Sequence, residues 1–270
     1  MTIGRTVIVA LALVLTALAS ASVTAAPRDD CAVLKTVPVP PGGQDVVVPV
    51  IVRFMKNTDP SHARDPEERL STDEIESFFG PRRTINTIWR RAGIVFALHR
   101  IERCPYAAGA LGFDQGFKIP APTTSQWEAF WRVNDLYNFG EFGLDVYVWW
   151  GIKYGLAFAA PHGGHGTGNK GAIWLGSDCL MGQTRSQCET LIAHETGHFL
   201  GLCHVCMFSD DPPPSQGPSA LCHTCWRTAP ECYAPRAPRN RLMRADASGT
   251  TLSQAEATCA VGKARERIQP

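Results

Sequence analysis

The chain has 270 residues, room for one large domain or two small ones, and balances 26 Lys plus Arg against 25 Asp plus Glu for a net charge of +1. A near-neutral chain without a basic run lacks the electrostatic footprint of a nucleic-acid binder, and Arg236, Arg239, Arg241 and Arg244 read as a solvated loop. Ten cysteines, all beyond the first thirty residues, point to an oxidising compartment and a disulfide framework whose connectivity the sequence leaves open.

Residues 1–26 combine the positive Arg5, an apolar run from Val7 to Val23 and small residues before Pro27, the layout of a secretory signal peptide cleaved after Ala25 or Ala26. An uncleaved anchor is the alternative, but the run is short for a span and carries no stop-transfer flank. The mature chain is therefore expected to be secreted, extracellular or periplasmic, with no stable membrane anchoring.

Residues 27–43 form a Pro- and Gly-rich tail expected to run over the surface. Val46 to Phe54 is β-rich and apolar, a first strand. Ser71-Thr72-Asp73-Glu74 is a capping box ahead of Ile75, Phe78 and Phe79, so a helix starts there. Gly80-Pro81 interrupts it, Ile85, Ile88 and Trp89 resume a helical stripe up to Gly93, and Ile94 to Ile101 returns to a strand. A helix over Ser125 to Tyr137 is followed by strands at Leu144 to Trp150, Gly155 to Ala160 and Ala172 to Leu175. Between the last two lies Pro161-His162-Gly163-Gly164-His165-Gly166. His162 and His165 invite a second metal site there, but without a third ligand of obvious spacing the plainer reading is a glycine-rich rim loop. His62, His99 and His223 belong to no constellation.

A helix is predicted from Gln187 to Leu200, and it opens the most informative run of the chain, His-Glu-Thr-Gly-His-Phe-Leu-Gly-Leu-Cys-His over residues 194 to 204. His194 and His198 stand at i and i+4, so their imidazoles project from one helix face and supply two corners of a tetrahedral zinc site. Glu195 lies about 100° round the helix, where its carboxylate flanks the metal and can take a proton from an attacking water and hand it to the leaving amine. Gly201 falls where the helix must stop, since a residue without Cβ can take positive φ and turn the chain. His204 can then arrive from another direction as third ligand and leave the fourth position open.

This pattern, HExxHxxGxxH, resembles the metzincin clan of zinc endopeptidases. Asn240-Arg241-Leu242-Met243-Arg244 looks like the methionine turn of that clan, with the Met243 thioether as a polarisable floor under the imidazoles and not a ligand. The resemblance implies an α+β, zincin-like fold: a twisted mixed sheet over the active-site helix in an upper subdomain, residues 44–204. A small disulfide-braced lower subdomain, residues 205–270, completes the catalytic domain. It also implies one zinc ion held by His194, His198 and His204, Glu195 as the catalytic general base, and a protein or peptide substrate bound along an edge strand, Gly171 to Ser177, through backbone hydrogen bonds. Val205 after the third histidine matches no named subfamily, and Ala245 replaces the metal-binding tyrosine of some members. The nearest likeness is to bacterial secreted reprolysin-like or pappalysin-like enzymes. The need for calcium and the oligomeric state are left open.

Among the cysteines, Cys31 with Cys104 is expected to tie the tail to the body, and Cys179 with Cys188 to close a loop leading into the motif helix. Cys203, Cys206, Cys222, Cys225, Cys232 and Cys259 are expected to brace the region below the zinc. Cys203-His204-Val205-Cys206 and Cys222-His223-Thr224-Cys225 also form paired CxxC units, so a zinc-ribbon interaction module is one alternative. Another is a secreted metal-binding scaffold without turnover, although the general base is present. Ser253 with Glu256 makes a second capping box, opening a terminal helix to about Arg267.

Overall fold

The structure, a computed structural model, describes residues 31–40, 43–58, 70–106, 133–134, 137, 143–149, 172–176, 185–202, 240–243 and 249–268. In chain order these form β1 (Ala32–Thr36), β2 (Val46–Asn57), α1 (Thr72–Phe78), α2 (Thr84–Trp89) with a 3-10 turn (Arg90–Ala92), β3 (Ile94–Tyr106), β4 (Leu144–Trp149), β5 (Ala172–Gly176), α3 (Arg185–Phe199) and α4 (Gln254–Ile268). The strands make one mixed five-stranded sheet in the order β1-β3-β2-β4-β5. β2, β3, β4 and β5 run parallel, and β1 lies antiparallel on β3.

The parallel strands are apolar nearly throughout because both faces are covered, as parallel sheets require. Alternation sorts the side chains. Val52, Phe54, Val146, Val148, Ile173 and Leu175 join Phe78, Trp89, Ile192 and Phe199 in the larger core, on the helical side. Met55, Tyr147, Trp149 and Trp174 form a second core on the other face, closed by the helical residues Val133 and Tyr137. There Tyr147 stacks on Trp174 at 4.6 Å, and its hydroxyl donates to Asn134 Oδ1 at 3.1 Å. Pro49, which has no N–H to give a ladder, sits just before the stretch Val50–Met55 where β4 joins β2.

Local signals fix the helix ends. Ser71 caps α1 through a reciprocal capping box with Glu74. Ser253 and Glu256 do the same for α4, with bonds of 2.7 and 3.2 Å. The interruption at Gly80-Pro81 is stabilised from within: buried Asn86 donates to Phe79 O at 2.9 Å and Phe96 O at 2.9 Å, and accepts from Phe96 N at 2.8 Å.

Two strands run longer than the sequence suggests, and a further strand precedes them. Within the surface tail, Ala32–Thr36 pairs with β3 as an exposed edge strand, anchored by the expected Cys31–Cys104 disulfide. β2 and β3 run on to Asn57 and Tyr106, because Met55, Lys56 and Asn57 pair with Cys104, Pro105 and Tyr106 across the sheet. β3 therefore carries a buried charge, Glu102, where Arg53 of β2 lies opposite it. Arg53 Nε donates to Glu102 Oε2 at 2.8 Å, and its Nη1 pairs with Asp145 of β4. Burial alone would push the guanidinium pKa down, but Asp145 and Glu102 outweigh it and hold the group above its usual range.

The buried residues of α4, Cys259, Ala260 and Ala264, share the larger core with β2 and α3, so one core runs through both halves of the division expected at residues 204 and 205. Cys188 and Cys259 each take part in a disulfide whose partner lies outside the described residues. The signal segment, the strand at 155–160, the His162/His165 loop, His204, and Cys179, Cys203, Cys206, Cys222, Cys225 and Cys232 lie outside the described residues, as does most of the helix expected at 125–137.

Candidate metal centre

α3 packs against β5 and α2 and is buried along most of its length. Its Glu189 accepts from Thr84 N at 3.2 Å, supplying the N-terminus of α2 with the cap its own N-cap Arg83 does not provide. The other end of α3 closes as the sequence predicts. Gly201 takes φ +79°, Leu202 N donates to Gly197 O at 2.9 Å, and Gly201 N donates to His198 O at 2.8 Å. These two bonds with a left-handed glycine are a Schellman motif.

That motif also orients a histidine. By turning back, it brings Leu202 O to His198 Nδ1 at 2.8 Å. His194 Nδ1 meets Leu242 O at 2.7 Å, from the turn that carries Met243. A carbonyl only accepts, so Nδ1 donates in both rings, which in a neutral imidazole leaves the lone pair on Nε2. The rings stand 4.9 Å apart at 89°. One ligand atom each from His194, Glu195 and His198 lies within 4.8 Å of the others. Two neutral imidazoles oriented from behind, with a carboxylate beside them, fit a divalent metal. His194 and Glu195 are buried, which for groups of this polarity is costly unless the site uses them.

Met243 packs against the helix that carries the two histidines. It is fully buried, and a Cβ on Gly197 would overlap its Sδ. Only glycine at 197 lets the thioether reach the helix backbone between the two histidines.

Sequence reasoning missed the residues that hold these in place. Trp89 of α2 reads in the sequence only as part of an apolar stripe. Its indole Nε1 donates to Ala193 O at 3.1 Å and Thr196 Oγ1 at 2.6 Å, while Thr196 Oγ1 donates to Ala193 O at 2.6 Å. The available signal was that a buried tryptophan must find a partner for its N–H. The carbonyl of Leu242 had no signal at all, since a backbone acceptor leaves no mark on residue type. No protein-family model matches the chain, and a search of curated proteins finds none similar to it.

Proposed function

We propose that this chain is an exported zinc-dependent endopeptidase of the metzincin kind, hydrolysing peptide bonds with Glu195 as general base and His194, His198 and His204 as the zinc ligands. The observation that carries the reading is the pair of Nδ1 bonds to Leu242 O and Leu202 O, which orient both rings from behind, with one ligand atom each of His194, Glu195 and His198 within 4.8 Å of the others. An ordinary core helix has no need to fix two histidine tautomers from two different turns. The buried Met243 against Gly197 supports the same reading, and the disulfide-bonded state of Cys31, Cys104, Cys188 and Cys259 supports export.

Zinc, when bound, supplies Lewis acidity that polarises a carbonyl and makes water a nucleophile at neutral pH. Glu195 accepts the proton of the attacking water and returns it to the amine as the peptide bond breaks. Its burial keeps that exchange away from bulk solvent. The carbonyls of Leu242 and Leu202 hold the imidazoles in orientation throughout. β5 is the last strand in the described order, but all five of its residues are buried. A peptide pairing there would have to displace what covers it.

The test is cleavage of an unfolded protein by the mature chain beside Glu195→Ala of equal zinc content. Cleavage by the first, reduced at least about 100-fold in the second, is the expected result. Equal rates would remove Glu195 from the chemistry. Silence from both, with zinc bound and the fold intact, would favour the metal-binding scaffold.

A further inference from the structure

We infer that the largely buried Arg241–Glu256 ion pair is a positioning device for the metal ligand His194, so that the terminal helix α4 helps set metal affinity. The inference rests on the proposed reading of His194 as a ligand.

The chain of contacts starts at the Leu242 carbonyl, which fixes the His194 ring. The two peptides before that carbonyl are held by the segment at Thr250 and Thr251. Leu242 N donates to Thr251 O at 2.8 Å, and Asn240 O accepts from Thr250 N at 2.9 Å, Thr251 N at 2.8 Å and Thr251 Oγ1 at 2.6 Å. A Cβ on Gly249 would overlap Arg241 O, so the two segments pack backbone to backbone. Arg241, the residue before Leu242, reaches Glu256 through Nη2 at 3.0 Å, with side chains 12% and 6% exposed. The same Glu256 oxygen accepts from Ser253 N at 2.7 Å, so one carboxylate both caps α4 and anchors the turn that orients His194.

At these exposures the pair is little screened by solvent, and removing one partner leaves a buried charge that drags the backbone bearing the other. Displacing Leu242 O frees the His194 ring to rotate or to move its proton to Nε2, which removes the lone pair facing the metal. Partners behind a ligating histidine control metal affinity in this way generally. A purely structural role for the pair, fastening α4 to the turn, predicts lost stability with no change at the metal.

The experiment measures zinc affinity of the full chain by competition with a chromophoric chelator, together with the absorption spectrum of the cobalt(II)-loaded chain. Glu256→Gln keeps the capping box, in which glutamine serves, but removes the charge. Arg241→Met removes the cation, and Arg241→Lys retains it. Ser71→Ala breaks the capping box of α1, away from the turn, as a control for general destabilisation. Expected are zinc binding about tenfold weaker in Glu256→Gln and Arg241→Met, a changed cobalt spectrum in both, and near-wild-type behaviour in Arg241→Lys and Ser71→Ala. Unchanged affinity and spectrum in Glu256→Gln would overturn the inference while leaving the proposed function standing. Failure of the wild-type chain to bind one zinc would sink the proposed function itself, and this inference with it.

Discussion

Gly197→Ala should change sign with its neighbour. In the wild-type background the new methyl has about 1 kcal/mol of helix propensity in its favour. Against it stands the overlap with Met243 Sδ, together with a tight 3.1 Å approach to Met243 Cε. Met243 and Gly197 are both buried, so the thioether has little room to yield. Overpacking of this kind costs about 1–3 kcal/mol, which exceeds the propensity gain and leaves the variant destabilised by up to about 2 kcal/mol. Met243→Ala alone should cost about 2–5 kcal/mol by opening a cavity under α3. With that side chain gone, the next atom the Cβ at 197 meets is Trp89 Cζ2 at 3.6 Å, an ordinary contact. Gly197→Ala should therefore stabilise the Met243→Ala background by about 1 kcal/mol. The assay is guanidinium unfolding followed by circular dichroism with disulfides intact, comparing midpoints at equal slope across the four proteins of the cycle. The same sign of effect in both backgrounds would refute the packing of Met243 against α3.

Two further outcomes are expected. Arg53→Met removes the cation shared by Glu102 and Asp145. Glu102 keeps Arg100 Nε at 2.6 Å, so the loss falls mainly on Asp145, and unfolding experiments should find about 3–5 kcal/mol of destabilisation, much of it recovered by adding Asp145→Leu. Alkaline titration should unfold the chain from its aromatic core. Burial pushes Tyr106 up to about 12 and, with Asp145 adding to it, Tyr147 well above the ordinary value of 10.0. Both folded values are raised, so this stability is intact below pH 10 and is lost as pH climbs towards the folded values, at about 1.4 kcal/mol per pH unit for each tyrosine. A melting temperature flat between pH 10 and 12 would contradict it.

The sequence by itself determined whatever lies within about one helical turn. Capping boxes at Ser71 and Ser253, the stop at Gly201, the strand-forming runs of β2 to β5 and the convergent spacing of His194, Glu195 and His198 all follow from side chains three or four residues apart acting on their own backbone. Tertiary structure decided the rest, because its determinants are pairings between distant segments that no local pattern encodes. Leu242 O sits 48 residues from the His194 it orients, Ala193 O is 104 from the Trp89 indole, and Asp145 is 92 from Arg53. The strand in the Pro-rich tail exists because β3 offers it an edge and Cys104 a disulfide. Glu256, legible as a cap, became an anchor for the turn behind His194 only when folding brought Arg241 to it. Spacing along the chain set which groups share one helix face, while the turn that closes the helix fixed the His198 ring from four residues away and a bond across 48 residues fixed the His194 ring.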